Sequence, residues 1–208
     1  MTNLSRRRLL AVGAGASLAV AVGPVASAFA APAPVEDDLA YLQLLAVGKL
    51  IAIAHLEAVL ADPPSAQARR QLGAILADDR AHKAALDAVL AEDAPTTDDW
   101  QIAIPKAATG DLRKAAAFAA RLDTVLRGVV LDGSGVVEDP RTRILLAQIG
   151  ASDSQHIAAL RLLGRRSPAG PALARRVPVE EAGAYLDRFL VADDPADSLA
   201  ARLRRIAR

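Results

Sequence analysis

The chain has no cysteine. That removes disulfides, thiolate zinc sites, iron–sulfur clusters and cysteine nucleophiles. Aromatic residues are nearly absent as well: three Phe, two Tyr and one Trp make up 3% of 208 residues. Hydrophobic residues nevertheless reach 52%, so the apolar mass is Ala, Leu, Val and Ile. That mixture suits helices better than strands, which favour β-branched and aromatic side chains. A formal net charge of +1 argues against a dedicated nucleic-acid binder. The high hydrophobicity argues against a disordered chain, and the length fits one domain of ordinary size.

Residues 1–30 read as an address. Arg6, Arg7 and Arg8 precede an apolar run from Leu9 to Val22, which is Ala-rich and broken by Gly13 and Gly15. Ala28-Phe29-Ala30 then offers a small-x-small cleavage signal. Paired arginines before a mildly apolar run resemble a twin-arginine signal peptide. The expectation is export by that route to the periplasm, the cell envelope or the medium. An uncleaved anchor is the alternative, for which the run is short against a ~20-residue membrane span.

The remainder reads as helices. The stretch from Glu36 to Ala61 meets no breaker before Asp62-Pro63-Pro64. Ser65 caps a second helix reaching about Asp93. Thr96 to Thr109 is a connector, and a third helix runs from about Asp111 to Leu131. Asp139-Pro140 starts a fourth, ending near Gly164. Four long helices with short first and last turns and a long central crossover predict an all-α four-helix bundle over residues 31–164. Residues 165–208 form a helical extension, with a Pro/Gly/Arg linker (Ser167–Pro178) and two shorter helices at about Val179–Val191 and Pro195–Ala207. Residues 31–160 carry 12 basic and 18 acidic side chains, whereas 161–208 carry 10 and 6. The basic extension is therefore expected to pack on the acidic part or to touch an anionic envelope surface.

An internal repeat carries the chemistry. Asp79-Arg80-Ala81-His82-Lys83-Ala84-Ala85-Leu86 on the second helix matches Asp153-Ser154-Gln155-His156-Ile157-Ala158-Ala159-Leu160 on the fourth. Both read Asp-x-x-His-x-Ala-Ala-Leu. The first helix has Leu56-Glu57-Ala58-Val59-Leu60 and the third has Leu122-Asp123-Thr124-Val125-Leu126. Both read Leu-acid-x-Val-Leu. Acid to His spans 25 residues in the first half and 33 in the second, the extra eight being assigned to the turn around Gly133–Pro140. An Asp and a His three apart share one helix face. Carboxylates on apolar stripes are costly unless paired or metal-bound, so four carboxylates and two imidazoles meeting in a core make a two-metal site. The ordinary alternatives are surface pairs, Asp79 with Lys83 and Asp123 with Arg127. His55 points to another face of its helix and reads as a packing residue or as one that supports the ligands from outside.

The order acid, acid-x-x-His, acid, acid-x-x-His resembles that of the ferritin-like superfamily. With the leader and the C-terminal extension, it is similar to exported bacterial ferritin-like domain proteins. The resemblance covers about Glu36 to Gly164. It implies a carboxylate–histidine centre for iron or manganese, up to two ions. Glu57 and Asp123 match the single carboxylates, and Asp79 with His82 and Asp153 with His156 match the two Glu-x-x-His motifs. The family carries Glu at all four carboxylate positions, and three are Asp here. Asp reaches less far by one methylene, so the helices must approach more closely, the site binds less tightly, or it takes one ion. The implied activity is metal binding or oxidation of iron or another reductant, with no catalytic residue assigned. The alternative is a metal-free bundle serving as an envelope binding or structural module. A homo-oligomer is among the assemblies the sequence allows.

Overall fold

The computed structural model describes residues 36–62, 65–171, 173–192 and 194–206. Residues 1–30, read above as a signal peptide, lie outside them. Six α-helices occur among the described residues: α1 (Glu36–Leu60), α2 (Ala66–Leu90), α3 (Leu112–Gly133), α4 (Pro140–Leu163), α5 (Val179–Leu186) and α6 (Leu199–Ile206). The fold class is all-α.

The helix starts follow from local chemistry. Ser65 and Asp139 have extended backbones, and their side chains accept from the amides of Ala68 and Thr142. Asp111 does the same for Lys114. Each thereby satisfies one amide that the first turn leaves without an intrahelical partner. Pro140 occupies the first helical position, where its missing N–H costs nothing.

The long helices pack as α1 on α2, α3 on α4, α1 on α3 and α2 on α4. Helix α1 also touches α5 and α6. Its middle is therefore covered on every side, and residues 44–52 are buried without a break. A helix apolar all round is stable only in such a place. Asp38–Leu60 is long and apolar enough to cross a membrane, yet 78% of its most apolar window is buried inside the protein.

The C-terminal extension supplies part of that cover. Val177, Val179, Leu186, Leu199 and Leu203 join Leu42, Leu45 and Val47 of α1 in one core. Its two helices are shorter than the sequence suggests. After Leu186 the chain tightens into a 3-10 turn, Asp187–Phe189, and then a short strand, Leu190–Val191. That strand pairs antiparallel with Gln101–Ile102 of the α2–α3 connector. Asp187 accepts from the amides of Leu199 and Ala200 at the start of α6, and Arg202 stacks over Trp100 at 4.4 Å.

Gly48 lies on α1 where Leu126 of α3 crosses, and a Cβ there would collide with the Leu126 side chain. The missing side chain lets α1 and α3 approach closely. Gly48→Ala is expected to overpack this crossing and to cost about 1–3 kcal/mol, read as a lower urea midpoint with an unchanged slope.

Candidate metal centre

Three of the four long helices bring five of the six expected residues together, all but His82 buried. Asp79 and His82 come from α2, Asp123 from α3, and Asp153 and His156 from α4. Asp79, Asp123 and Asp153 are at most 2% exposed, and His156 is 4% exposed. His82 Nδ1 lies 3.9 Å from Oδ1 of both Asp79 and Asp153. His156 Nδ1 lies 4.0 Å from Asp79 Oδ1, 3.8 Å from Asp153 Oδ1 and 4.0 Å from Asp123 Oδ2. The surface pair considered for Asp79 does not form. Lys83 turns instead to Asp87 and to the carbonyl of Pro95.

Glu57 does not join this group. Its half-exposed side chain pairs with Arg80 at 2.7 Å on the surface. The residue that α1 sends to the centre is Lys49, which is fully buried. Its ammonium donates to Asp79 Oδ1 and to Asp153 Oδ1, both at 2.7 Å. The reason is register. Lys49 precedes Asp79 by 30 residues, as Asp123 precedes Asp153. The N-caps Ser65 and Asp139 obey the same offset from the two motifs. The two halves thus align without a gap, and no eight-residue insertion exists in the α3–α4 turn. Glu57 stands eight residues beyond the matching position, roughly 12 Å along the helix and about 80° round it.

The electrostatics follow from burial and from Lys49. Burial alone would lower the Lys49 ammonium, but Asp153, Asp79 and Asp123 outweigh it and raise it above the ordinary lysine value. Burial opposes ionisation of Asp79, yet the Lys49 charge beside it holds this carboxyl below the usual range. Asp123 has no such contact. Burial, reinforced by the charges of Asp153 and Asp79, pushes it well above the carboxylate range despite Lys49.

Several buried atoms at the centre have no hydrogen-bond partner: Nδ1 of His82 and of His156, and Oδ2 of Asp79, Asp123 and Asp153. Buried polar atoms are rarely left so. Their types, imidazole nitrogen and carboxylate oxygen, are those that bind first-row transition metals. Asp79, Asp153 and His156 form a buried group of the right donors and spacing to hold a metal ion. The two Nδ1 atoms lie 3.8–4.0 Å from oxygens of these carboxylates, close enough for one shared ion to draw the groups together.

Asp78, which the sequence motif does not single out, adds a further element. Its carboxylate accepts from His156 Nε2 at 3.1 Å, with Ser152 Oγ 3.3 Å from the same nitrogen. A carboxylate cannot donate, so Nε2 carries a proton, and in the neutral ring Nδ1 is the free ligand atom. This is how outer carboxylates orient metal-binding histidines. The signal for Lys49 was a lone lysine on α1, the one formal charge between Asp38 and Glu57.

His55 faces elsewhere. Its Nε2 donates to the carbonyl of Ala108 at 3.0 Å, and its ring packs on Phe118 with centroids 4.5 Å apart. Burial lowers its pKa against the pull of that carbonyl. A base whose folded pKa is depressed stabilises the fold fully above its unfolded value and loses this as pH falls. The stability advantage of wild type over His55→Gln is therefore expected to shrink below about pH 6.5 in denaturation curves. Asp153→Ala, which strips a buried ammonium of a partner, should cost about 3–5 kcal/mol. Glu57→Gln, at a surface pair, should cost less than about 1 kcal/mol.

No family model matches the chain, and neither the curated proteins nor the solved structures include a match to it.

Proposed function

We propose that the protein is an exported ferritin-like four-helix bundle that binds a divalent iron or manganese ion through Asp79, His82, Asp123, Asp153 and His156. The observation that carries this reading is the free Nδ1 of His156. Asp78 fixes the ring from outside, and the unpartnered nitrogen faces three carboxylates. The packing of four long helices, with a long connector between the second and third, supports the bundle. The arginine-led segment before residue 30 supports export. Glu57 is not in the proposed ligand set.

Bound iron or manganese would supply one-electron chemistry toward oxygen or another oxidant. The chain's own contribution is to orient the two imidazoles and to exclude water. Lys49 sets one limit, because it already engages Oδ1 of Asp79 and Asp153. That contact favours a second reading, a metal-free bundle in which the ammonium alone balances the buried acids and the protein serves as an envelope module.

Elemental analysis separates the two. The protein is offered iron, manganese and zinc separately, desalted, and its ions per chain counted. One ion per chain is expected, with occupancy reduced in His82→Ala and in His156→Ala and unchanged in His55→Ala. A chelator should then lower the melting temperature, because a ligand of the native state stabilises it by mass action. Near-zero content for all three metals would leave the metal-free bundle.

A further inference from the structure

The ammonium of Lys49 bridges the two halves of the repeat, 2.7 Å from one aspartate of each. Bridging two carboxylates from opposite halves is the place of a cation. Its own position in the repeat is the one that Asp123 fills in the other half. Resting on the metal reading above, we infer that Lys49 is a resident second cation of the centre, so that the protein takes one divalent ion where a carboxylate at position 49 would allow two.

Charge balance supports this. Exchanging a carboxylate for an ammonium changes the site by two positive charges, which is the charge of one divalent ion. Three aspartates, one lysine and one divalent ion sum to zero, as do four carboxylates with two such ions. Buried charge is tolerated only when it is compensated in this way. Geometry also holds Lys49 in this place. Its side chain is fully buried in a stretch of α1 with no exposed residue, so the ammonium cannot reach solvent without displacing core side chains. The atoms left for one ion are those without hydrogen bonds, Nδ1 of both histidines and Oδ2 of the three aspartates.

The test compares ions per chain in the full-length protein and in Lys49→Asp, each loaded with manganese and, separately, with zinc. The variant is expected to hold one ion more than wild type, two against one. Equal counts would overturn the inference. If both hold one, the metal reading stands and the role of Lys49 falls. If wild type holds none and the variant one, Lys49 keeps its role and the native metal reading falls. The variant brings four buried carboxylates together, so it is refolded with and without the ion. A fold recovered only with the ion counts in favour. A variant that folds in neither condition, beside a wild type that takes no ion, overturns both. A second measurement uses wild type alone: the 15N signal of the Lys49 ammonium during zinc loading. Its survival at one zinc per chain is expected. Its loss would mean that the ion displaces Lys49, and the inference would be wrong.

Discussion

A single ammonium group with no route to water organises the centre of this protein. Lys49 sits on the most enclosed helix of the fold, and its charge is tolerable only because α2 and α4 each deliver a carboxylate to it. That requirement constrains the two helices in rotation and in height. It sets Asp79 below its ordinary range and leaves Asp123, which lacks the contact, well above it. The two histidines, three residues on from their aspartates, are carried into the same space by helical periodicity.

Much of the architecture was legible in the sequence because it is written in local signals. Ser65, Asp111 and Asp139 start helices as capping chemistry dictates. The motifs Asp79–His82 and Asp153–His156 were legible as a pair because both halves preserve the same eight-residue pattern. The contribution of α1 was not. A search for acids finds Glu57, whereas the structure uses a cation two helical turns earlier. Lysine in a helix ordinarily reads as a surface residue whose charged head reaches water, and nothing local to Lys49 reveals that α5 and α6 close over its helix. The decisive clue, the ungapped offset shared by Lys49 with Asp123 and by Ser65 with Asp139, emerges only when caps and motifs are aligned together.

The C-terminal extension shows a similar limit. Its basic charge suggested packing on the acidic part of the chain or contact with an anionic surface, and its helices were drawn too long. A two-residue strand has too few positions to display a period, so the pairing of Gln101–Ile102 with Leu190–Val191 leaves no pattern to read. What the extension contributes is apolar cover, and that depends on which face of α1 would otherwise meet water.

The cover given by α5 and α6 has a consequence for the order in which the chain becomes a protein. Helix α1 is the first described element to be synthesised, and its lid is the last. More than a hundred residues separate Leu42 from Leu199 and Leu203, which share its core. Contacts so distant in sequence form late and slow folding. Until the C-terminal segment leaves the ribosome, a long apolar surface stays open to chaperones and to aggregation. The cover from α5 and α6 thus closes late, and a chain lacking them would keep its capped helices while failing to close its own interior.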